Sequence, residues 1–158
     1  MSKIYLAASY ARKDEMRGCR DVLKAAGHEI TSSWIDRNSQ YGVHSDVDLD
    51  YMQGDPEFCS RFAARDIDDM FESEIIIMFT GDTSSSGGRH TEFGIAMCMN
   101  DLRGICIIGP RENVFQCHPN IYHYPDWSNF CIHMWEGSEL TKLDRYLNDM
   151  SRELWFKL

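Results

Sequence analysis

A run of five apolar residues, Ile75–Phe79, constrains the fold of this chain more than any other stretch. A short run that is rich in β-branched side chains is typical of a strand buried on both faces. Apolar residues at helical spacing precede the run in residues 56–73 and follow it in residues 89–102. Strands that alternate with helices predict an α/β fold, in which helices cover both faces of a parallel sheet.

The same alternation extends over the rest of the chain. Other segments with the composition of strands are Lys3–Ser9, 28–35, 103–109 and, as a candidate for the last strand, 129–135. Other segments with helical spacing are 12–27 and 138–154, while 36–58 and 110–127 are predicted to be irregular. We therefore expect one domain over residues 1–158, with a Rossmann- or flavodoxin-like parallel sheet of about five strands and helices on both faces.

The charge and hydrophobicity of the chain exclude several classes of partner. The formal net charge of −9 argues against binding of a nucleic-acid polymer, whose phosphates require a basic surface. No apolar run approaches the roughly 20 residues that a membrane span requires, and the first residues turn polar too early for a signal peptide. We therefore expect a cytoplasmic protein whose six cysteines are mostly thiols.

The segment 87–96, GGRHTEFGIA, is the first candidate for a functional site. It follows the carboxyl end of a predicted parallel strand, where ligands bind in α/β folds. Glu92 lies near the first turn of the helix predicted there. A carboxylate at a helix start commonly contributes about 0.3–1 kcal/mol of stability, so its position leaves both a structural and a catalytic role open.

Acidic residues also cluster on the preceding predicted helix. Asp66 and Asp69 share one face of that helix, and Asp68 and Glu72 share another. A solvated acidic face accounts for most of them. If one faces the site, it forms a carboxylate pair with Glu92, and such a pair is what chemistry at the anomeric carbon of a sugar requires.

Two groups of residues have the side chains of metal ligands. A calcium-loop pattern places acids at positions one, three, five and twelve, in Asp46, Asp48, Asp50 and Glu57. Its sixth position is Tyr51 instead of glycine, so a solvated loop is the simpler interpretation. Zinc would have to bind among Cys117, His118, His123, Cys131 and His133. Their spacing matches no compact zinc pattern, and a metal-binding module remains the weaker alternative.

Three motifs resemble the nucleoside 2-deoxyribosyltransferase superfamily, which includes 2′-deoxynucleoside 5′-phosphate N-hydrolases and a CMP-hydrolysing branch. They are KIYLAAS at Lys3–Ser9, ARDIDDM at 64–70 and GGRHTEFGIA at 87–96. The resemblance implies cleavage of the N-glycosidic bond of a nucleoside or a (2′-deoxy)nucleoside 5′-monophosphate, with transfer of the sugar to water or to another base. It further implies a homodimer or higher homo-oligomer and no metal or organic cofactor.

The resemblance also implies roles for three residues. Glu92 matches the family's nucleophile, Asp66 matches the aspartate that handles the proton of the leaving base, and Tyr5 matches the tyrosine that orients the glutamate. General chemistry is consistent with these roles, because a carboxylate stabilises and traps an oxocarbenium-like sugar while an acid protonates the leaving nitrogen.

The candidates for substrate binding lie mainly in the loops that follow the predicted strands. By resemblance, Ser9 matches a serine that binds the 5′-phosphate, with Arg12 close behind it. Trp34 either stacks on a flat ring or belongs to the core. Ser86 lies near the position where transferases of free nucleosides have an aspartate, and Asp82 is farther back, which favours a monophosphate. The remaining candidates are Gly88, Arg89 and Asn113, of which Asn113 matches a segment that reaches the neighbouring subunit's site.

A non-catalytic nucleotide-binding or sensor domain on the same fold is the alternative function, because a fold does not determine an activity. The position of Glu92 distinguishes the two hypotheses. A Glu92 that faces solvent, or that forms a salt bridge away from Asp66 and Tyr5, would contradict catalysis.

Overall fold

The structure is a computed structural model that describes residues 1–36, 56–81 and 87–136. Its centre is a five-stranded parallel sheet with the strand order β2-β1-β3-β4-β5. The strands are β1 (Lys3–Ala7), β2 (Glu29–Ile30), β3 (Ile75–Phe79), β4 (Gly104–Ile108) and β5 (Ile121–Tyr124). The α-helices are α1 (Lys13–Ala25), α2 (Pro56–Phe71), α3 (Gly88–Cys98) and α4 (Trp127–Glu136). Short 3₁₀ helices cover Tyr10–Arg12, Ser33–Ile35 and Val114–Cys117. The predicted fold class is confirmed.

The core is built around β3, whose five residues are all buried. Ile76 pairs with Tyr5 of β1 on one side and with Ile105 of β4 on the other. A fully buried aliphatic side chain contributes about 1.5–3 kcal/mol, so this strand anchors the sheet. None of the described helices is both long and apolar enough to cross a membrane.

The second strand is shorter than the segment 28–35 predicted for it. Only Glu29 and Ile30 pair with β1, and the chain then turns into a 3₁₀ helix. Two side chains replace the missing backbone partners, since Ser32 Oγ accepts a hydrogen bond from Leu6 N and Trp34 Nε1 donates to Leu6 O at 2.8 Å. Because these side chains provide hydrogen-bond partners for the backbone N–H and C=O of Leu6, β1 does not need a longer β2 beside it.

The prediction of a last strand at 129–135 is wrong, since these residues lie in α4. Trp127, Phe130, Cys131 and Met134 form its core-facing side, at helical spacing. Asp126 starts the helix by accepting a hydrogen bond from Asn129 N at 2.8 Å.

The fifth strand, β5, instead lies in the segment 110–127 that was predicted to be irregular. Its sequence, IYHY, is not a continuous apolar run like those of the inner strands, and all four of its residues are only partly buried. The closing helix predicted at 138–154 lies outside the described residues.

The strand order creates a crevice at the carboxyl ends of β1 and β3. From β1 the chain crosses to β2 on one side, and from β2 it returns to β3 on the other. Right-handed crossovers, which parallel strands adopt almost without exception, then place α1 on one face and α2 and α3 on the other. Ligands bind at such a switch point, and the residues described next surround it.

Candidate active site

Tyr5 and Glu92 form the central contact of the site. Tyr5 lies on β1 and is fully buried, and its hydroxyl donates a hydrogen bond to Glu92 Oε1 at 2.7 Å. Glu92 lies on α3, 87 residues away in sequence. The strand and the helix that meet at the crevice therefore hold these two side chains together.

The surroundings of Glu92 favour its protonated form. The pKa of Glu92 is raised from 4.5 to about 7, chiefly because burial penalises the charged carboxylate. The hydrogen bond from Tyr5 and the charge of Arg89 lower this pKa, while the negative charge of Asp66 raises it. A carboxyl group with a pKa near neutrality at the carboxyl end of a parallel sheet is characteristic of a catalytic site.

Tyr5 remains a hydrogen-bond donor throughout the physiological pH range. Burial raises the pKa of its hydroxyl, and the negative charges of Glu92 and Asp66 raise it further. The residue can therefore orient the glutamate without losing its own proton.

Asp66 lies on α2, and its negative charge raises the pKa of both Glu92 and Tyr5. One turn further along, Asp69 Oδ2 accepts a hydrogen bond from Ser33 N at 2.8 Å. Arg65 Nε donates to Ser33 Oγ at 3.0 Å, so α2 is attached at two points to the segment after β2. The three predicted catalytic residues are thus brought together, and their roles remain predictions.

The glycine that the backbone requires in the loop is Gly87. Its φ of 89° lies in the left-handed region, and it caps the amino end of α3. The Gly87 carbonyl accepts a hydrogen bond from Thr91 N at 3.0 Å, which starts the helix that carries Glu92. A Cβ on Gly88 would meet no atom within 4 Å. Contact of Gly88 with a substrate stays a prediction.

Arg89 points into the protein. The residue is 4% exposed, and its Nη1 donates to Phe79 O at 3.1 Å, at the end of β3. Its Nη2 donates to Glu112 Oε1 at 2.6 Å. These contacts give Arg89 a position inside the wall of the site, and a direct contact with a substrate stays a prediction.

Ser9 and Arg12 lie just past the carboxyl end of β1, as predicted. Ser9 Oγ is buried and has no hydrogen-bond partner in the described part of the chain. Arg12 Nε and Nη2 donate to the Glu15 carboxylate at 2.7 and 2.6 Å, and Arg12 Nη1 donates to Thr80 O at 3.2 Å. Binding of a phosphate by either residue is untested by these contacts.

Trp34 belongs to the core of the protein. It is 7% exposed and its indole nitrogen is committed to Leu6 O. Tyr10 packs beside it with ring centroids 6.5 Å apart, and Tyr10 is 49% exposed. The accessible ring at this corner is therefore that of Tyr10, which the sequence interpretation missed. Stacking of Trp34 on a ligand stays a prediction.

Asn113 caps the 3₁₀ helix Val114–Cys117. Its Oδ1 accepts hydrogen bonds from Phe115 N at 3.0 Å and from Gln116 N at 3.3 Å. A role of Asn113 in a neighbouring subunit's site stays a prediction. Ser86 and Asp82 lie outside the described residues.

The metal-ligand candidates do not converge in the described part of the chain, where no group of three or more His, Cys, Asp or Glu side chains could hold an ion. His123 Nε2 is instead 2.7 Å from Gly109 O, and all six cysteines are free thiols. Of the calcium-loop acids, only Glu57 lies among the described residues.

Glu112 is the residue of this region that the sequence interpretation missed. It follows β4 and reaches back to Arg89, whose charge acts on Glu92. An acid in the loop after a buried strand is the only sequence signal that could have indicated it.

Neither a protein family nor a curated protein sequence matches the chain. Among solved structures, a 2-deoxyribosyltransferase from Bacillus psychrosaccharolyticus has a TM-score of 0.62 and 16% sequence identity, covering 90% of this chain and 96% of its own. A CMP N-glycosidase from Clostridium botulinum has a TM-score of 0.51 and 18% identity, covering 85% of this chain and 98% of its own. These similarities establish a shared fold, which is the fold expected from the motif resemblance.

Proposed function

We propose that the protein cleaves the N-glycosidic bond of a nucleoside or a (2′-deoxy)nucleoside 5′-monophosphate through a covalent glycosyl-Glu92 intermediate. The observation that carries the proposal is the 2.7 Å hydrogen bond between Tyr5 and Glu92, within reach of the charge of Asp66. The likeness in fold to a 2-deoxyribosyltransferase and to a CMP N-glycosidase supports it.

In the first step, the ionised Glu92 carboxylate attacks the anomeric carbon. The C1′–N bond breaks, and its electron pair moves to the nitrogen of the base. Asp66, acting as the acid, gives that nitrogen a proton, so that the base leaves neutral. The carboxylate stabilises the oxocarbenium-like sugar and then closes the covalent bond.

Tyr5 orients the nucleophile. Its hydroxyl donates to Oε1 of Glu92, which leaves Oε2 for bond formation. Because Tyr5 is buried and Glu92 is held by it, the carboxylate is fixed before the substrate arrives. Such positioning of the reacting atoms is a large part of enzymatic rate enhancement.

In the second step, water or the nitrogen of a second base attacks C1′. The bond from C1′ to the glutamate oxygen breaks, and its electron pair returns to the carboxylate. Asp66, now the base, accepts the proton of the attacking group. Hydrolysis and transfer differ only in which nucleophile reaches C1′ first.

The ionisation of Glu92 sets the pH dependence of this reaction. Its pKa of about 7 means that a share of the free enzyme holds the nucleophile protonated at neutral pH. Because the ionised form attacks, activity rises as the pH increases through about 7 and falls below it.

We infer a 5′-monophosphate as the substrate class, and Ser9 and Arg12 support this inference. Ser9 offers a buried hydroxyl at the carboxyl end of β1, and its Oγ has no partner among the described residues. The Arg12 guanidinium lies nearby, between Glu15 and the end of β3. A phosphate there would accept the Ser9 hydrogen bond and lie close to a cation.

A Glu92 that faces solvent, or that is paired away from Asp66 and Tyr5, would have contradicted catalysis and favoured the alternative of a non-catalytic binding domain. Glu92 is instead partly buried and hydrogen-bonded to Tyr5, which favours the enzyme. A homo-oligomer and a cytoplasmic location remain predictions from the sequence. Size-exclusion chromatography with light scattering would test the first of them.

Incubation with a panel of nucleosides and 5′-monophosphates, with and without a second free base, tests the proposal. Chromatography would detect release of the free base, exchange of the base on the sugar, or neither. We expect base release by the wild type, no release by Glu92→Gln, and wild-type release by the control Glu72→Gln, whose side chain is exposed. Equal release by wild type and Glu92→Gln would contradict the mechanism.

Trapping of the intermediate tests the covalent step directly. After a short incubation and an acid quench, mass spectrometry of the peptide that contains Glu92 should show the added mass of the sugar or sugar phosphate. A wild-type enzyme that turns over without any such adduct, even under rapid quench, would point to direct attack by water instead.

A further inference from the structure

Glu112, in the loop after β4, is a partly buried acid that the mechanism above does not use. We propose that Glu112 and Arg89 form a positioning pair, which fixes the first turn of α3 to the ends of β3 and β4 and sets the net charge that Glu92 experiences. The inference rests on the proposed function only in taking Glu92 as the reacting group.

The ion pair is short and largely removed from solvent. Arg89 Nη2 donates to Glu112 Oε1 at 2.6 Å, and the two side chains are 2% and 18% exposed. The second Arg89 nitrogen, Nη1, donates to Phe79 O at 3.1 Å. Arg89, three residues before Glu92 in the first turn of α3, therefore connects that turn to the last residue of β3 and to the loop after β4.

The Glu112 carboxylate also holds the backbone that leaves β3. Its Oε1 accepts a second hydrogen bond, from Gly81 N at 3.0 Å. One carboxylate oxygen thus joins the first turn of α3 to the chain just past β3. His90 Nε2 lies 3.7 Å from the other oxygen, Oε2.

The loop fixes Glu112 in turn. Its backbone N donates to Gln116 Oε1 at 2.7 Å, and Gln116 is 1% exposed. Gln116 N and Phe115 N donate to Asn113 Oδ1. The pair therefore links Glu92 to the loop that contains Asn113, a candidate for substrate contact.

The charges of the pair act on Glu92 in opposite directions. Among the described residues, three charged or titratable groups act on the pKa of Glu92, namely Tyr5 from β1, Asp66 from α2 and Arg89 from its own helix. The positive charge of Arg89 favours the ionised nucleophile. Glu112, in contact with Arg89, offsets part of that charge. Removal of one partner would leave the other charge buried without compensation.

Two substitutions of opposite sign test the proposal. Glu112→Gln keeps an oxygen acceptor but removes the negative charge, so the midpoint of Glu92 ionisation should fall by about half a pH unit. Arg89→Met removes the positive charge that lowers the pKa of Glu92, so the midpoint should rise. The double variant should have a midpoint between those of the two single variants. A pair that only supports the fold would lower activity without moving the midpoint.

The control is an ion pair between the same two strands at their other ends. Glu74 precedes β3 and Arg103 precedes β4, with Arg103 Nη1 3.6 Å from Glu74 Oε2. Glu74→Gln should leave the Glu92 midpoint unchanged. Thermal unfolding of every variant would identify any that do not fold, and Glu112→Gln, the most conservative change, is sufficient by itself.

The midpoint is measured by ¹³C NMR titration of the labelled glutamate carboxyls, with the Glu92 signal assigned by its loss in Glu92→Gln. The acidic limb of the kcat/KM profile, which reports ionisation in the free enzyme, provides the second readout. If the midpoints of wild type, Glu112→Gln and Arg89→Met coincide, the inference is wrong even where the enzyme releases base. If the midpoints move as expected but no substrate reacts, the inference stands and the proposed function fails.

Discussion

Replacement of Glu92 by glutamine should stabilise the protein, and the gain should grow with pH. The carboxyl group has a pKa of about 7 in the folded chain, against an ordinary value of 4.5. A carboxyl whose pKa is raised by folding favours the folded state fully below its unfolded value. That contribution is lost as the pH rises through the folded value. Ionised Glu92 therefore lowers the free energy of unfolding near and above neutral pH.

The magnitude follows from the difference between the two pKa values. A shift from 4.5 to about 7 corresponds to about 3 kcal/mol at pH values well above 7, because one unit is worth about 1.4 kcal/mol. Glutamine carries no charge and keeps an oxygen that can accept the Tyr5 hydrogen bond. We expect Glu92→Gln to raise the free energy of unfolding by about 3 kcal/mol more at about pH 8.5 than at about pH 4.5.

Urea unfolding of the wild type and the variant at a series of pH values measures this difference. The exposed Glu72→Gln variant, treated identically, is the control for loss of a glutamate outside the site. A constant difference between wild type and Glu92→Gln across the series would refute the raised pKa. A difference that decreases with pH would show that the carboxylate is stabilised by folding, and would reverse our account of its surroundings.

Other substitutions test the site and its frame. Tyr5→Phe removes a hydrogen bond that lowers the pKa of Glu92. We therefore expect kcat to fall about 10- to 100-fold at neutral pH, and the acidic limb of the pH–activity profile to move to higher pH. An unchanged profile would contradict the orienting role of Tyr5. Asp66→Asn should slow the release of ordinary bases by at least about 100-fold but slow the release of N7-methylated purines less, because these bases leave without a proton. Equal losses of rate for both kinds of base in a chromatographic assay would argue against acid catalysis by Asp66. Gly109→Ala should destabilise the fold by about 1–3 kcal/mol in urea, since its φ is 113° and a Cβ would lie 2.7 Å from a threonine oxygen. Its control, Gly18→Ala in α1, should not destabilise, since nothing lies within 4 Å of that Cβ.

The sequence predicted those parts of the fold where one strong pattern acts locally. The all-apolar β3 and the periodic α2 and α3 lie where they were expected. The segment 129–135 was misassigned because a short apolar run is compatible with both a strand and a helix, and its spacing toward Phe130 and Met134 decides for the helix. The end of β2 could not be predicted, because it depends on side chains of Ser32 and Trp34 that bond to another strand.

The same distinction applies to the site. Glu92 was predicted from the rule that sites lie at the carboxyl ends of parallel strands and from the motif resemblance, whereas Asp66 and Tyr5 were assigned by the resemblance. The inward direction of Arg89 was not predicted, because its partner Glu112 lies 23 residues away and only the fold brings them together. Glu112 itself has no local pattern that marks it.

The ending of β2 also affects how copies of the protein behave toward one another. An edge strand with unpaired backbone groups is a template on which another chain can add a strand, and so a starting point for aggregation. Here β2 contributes only two residues. Past the end of β2, the backbone N–H and C=O of Leu6 in β1 are already hydrogen-bonded to the side chains of Ser32 and Trp34. An incoming strand would have to displace a buried indole to pair with β1 beyond this point. The core tryptophan Trp34 thus protects this edge of the sheet.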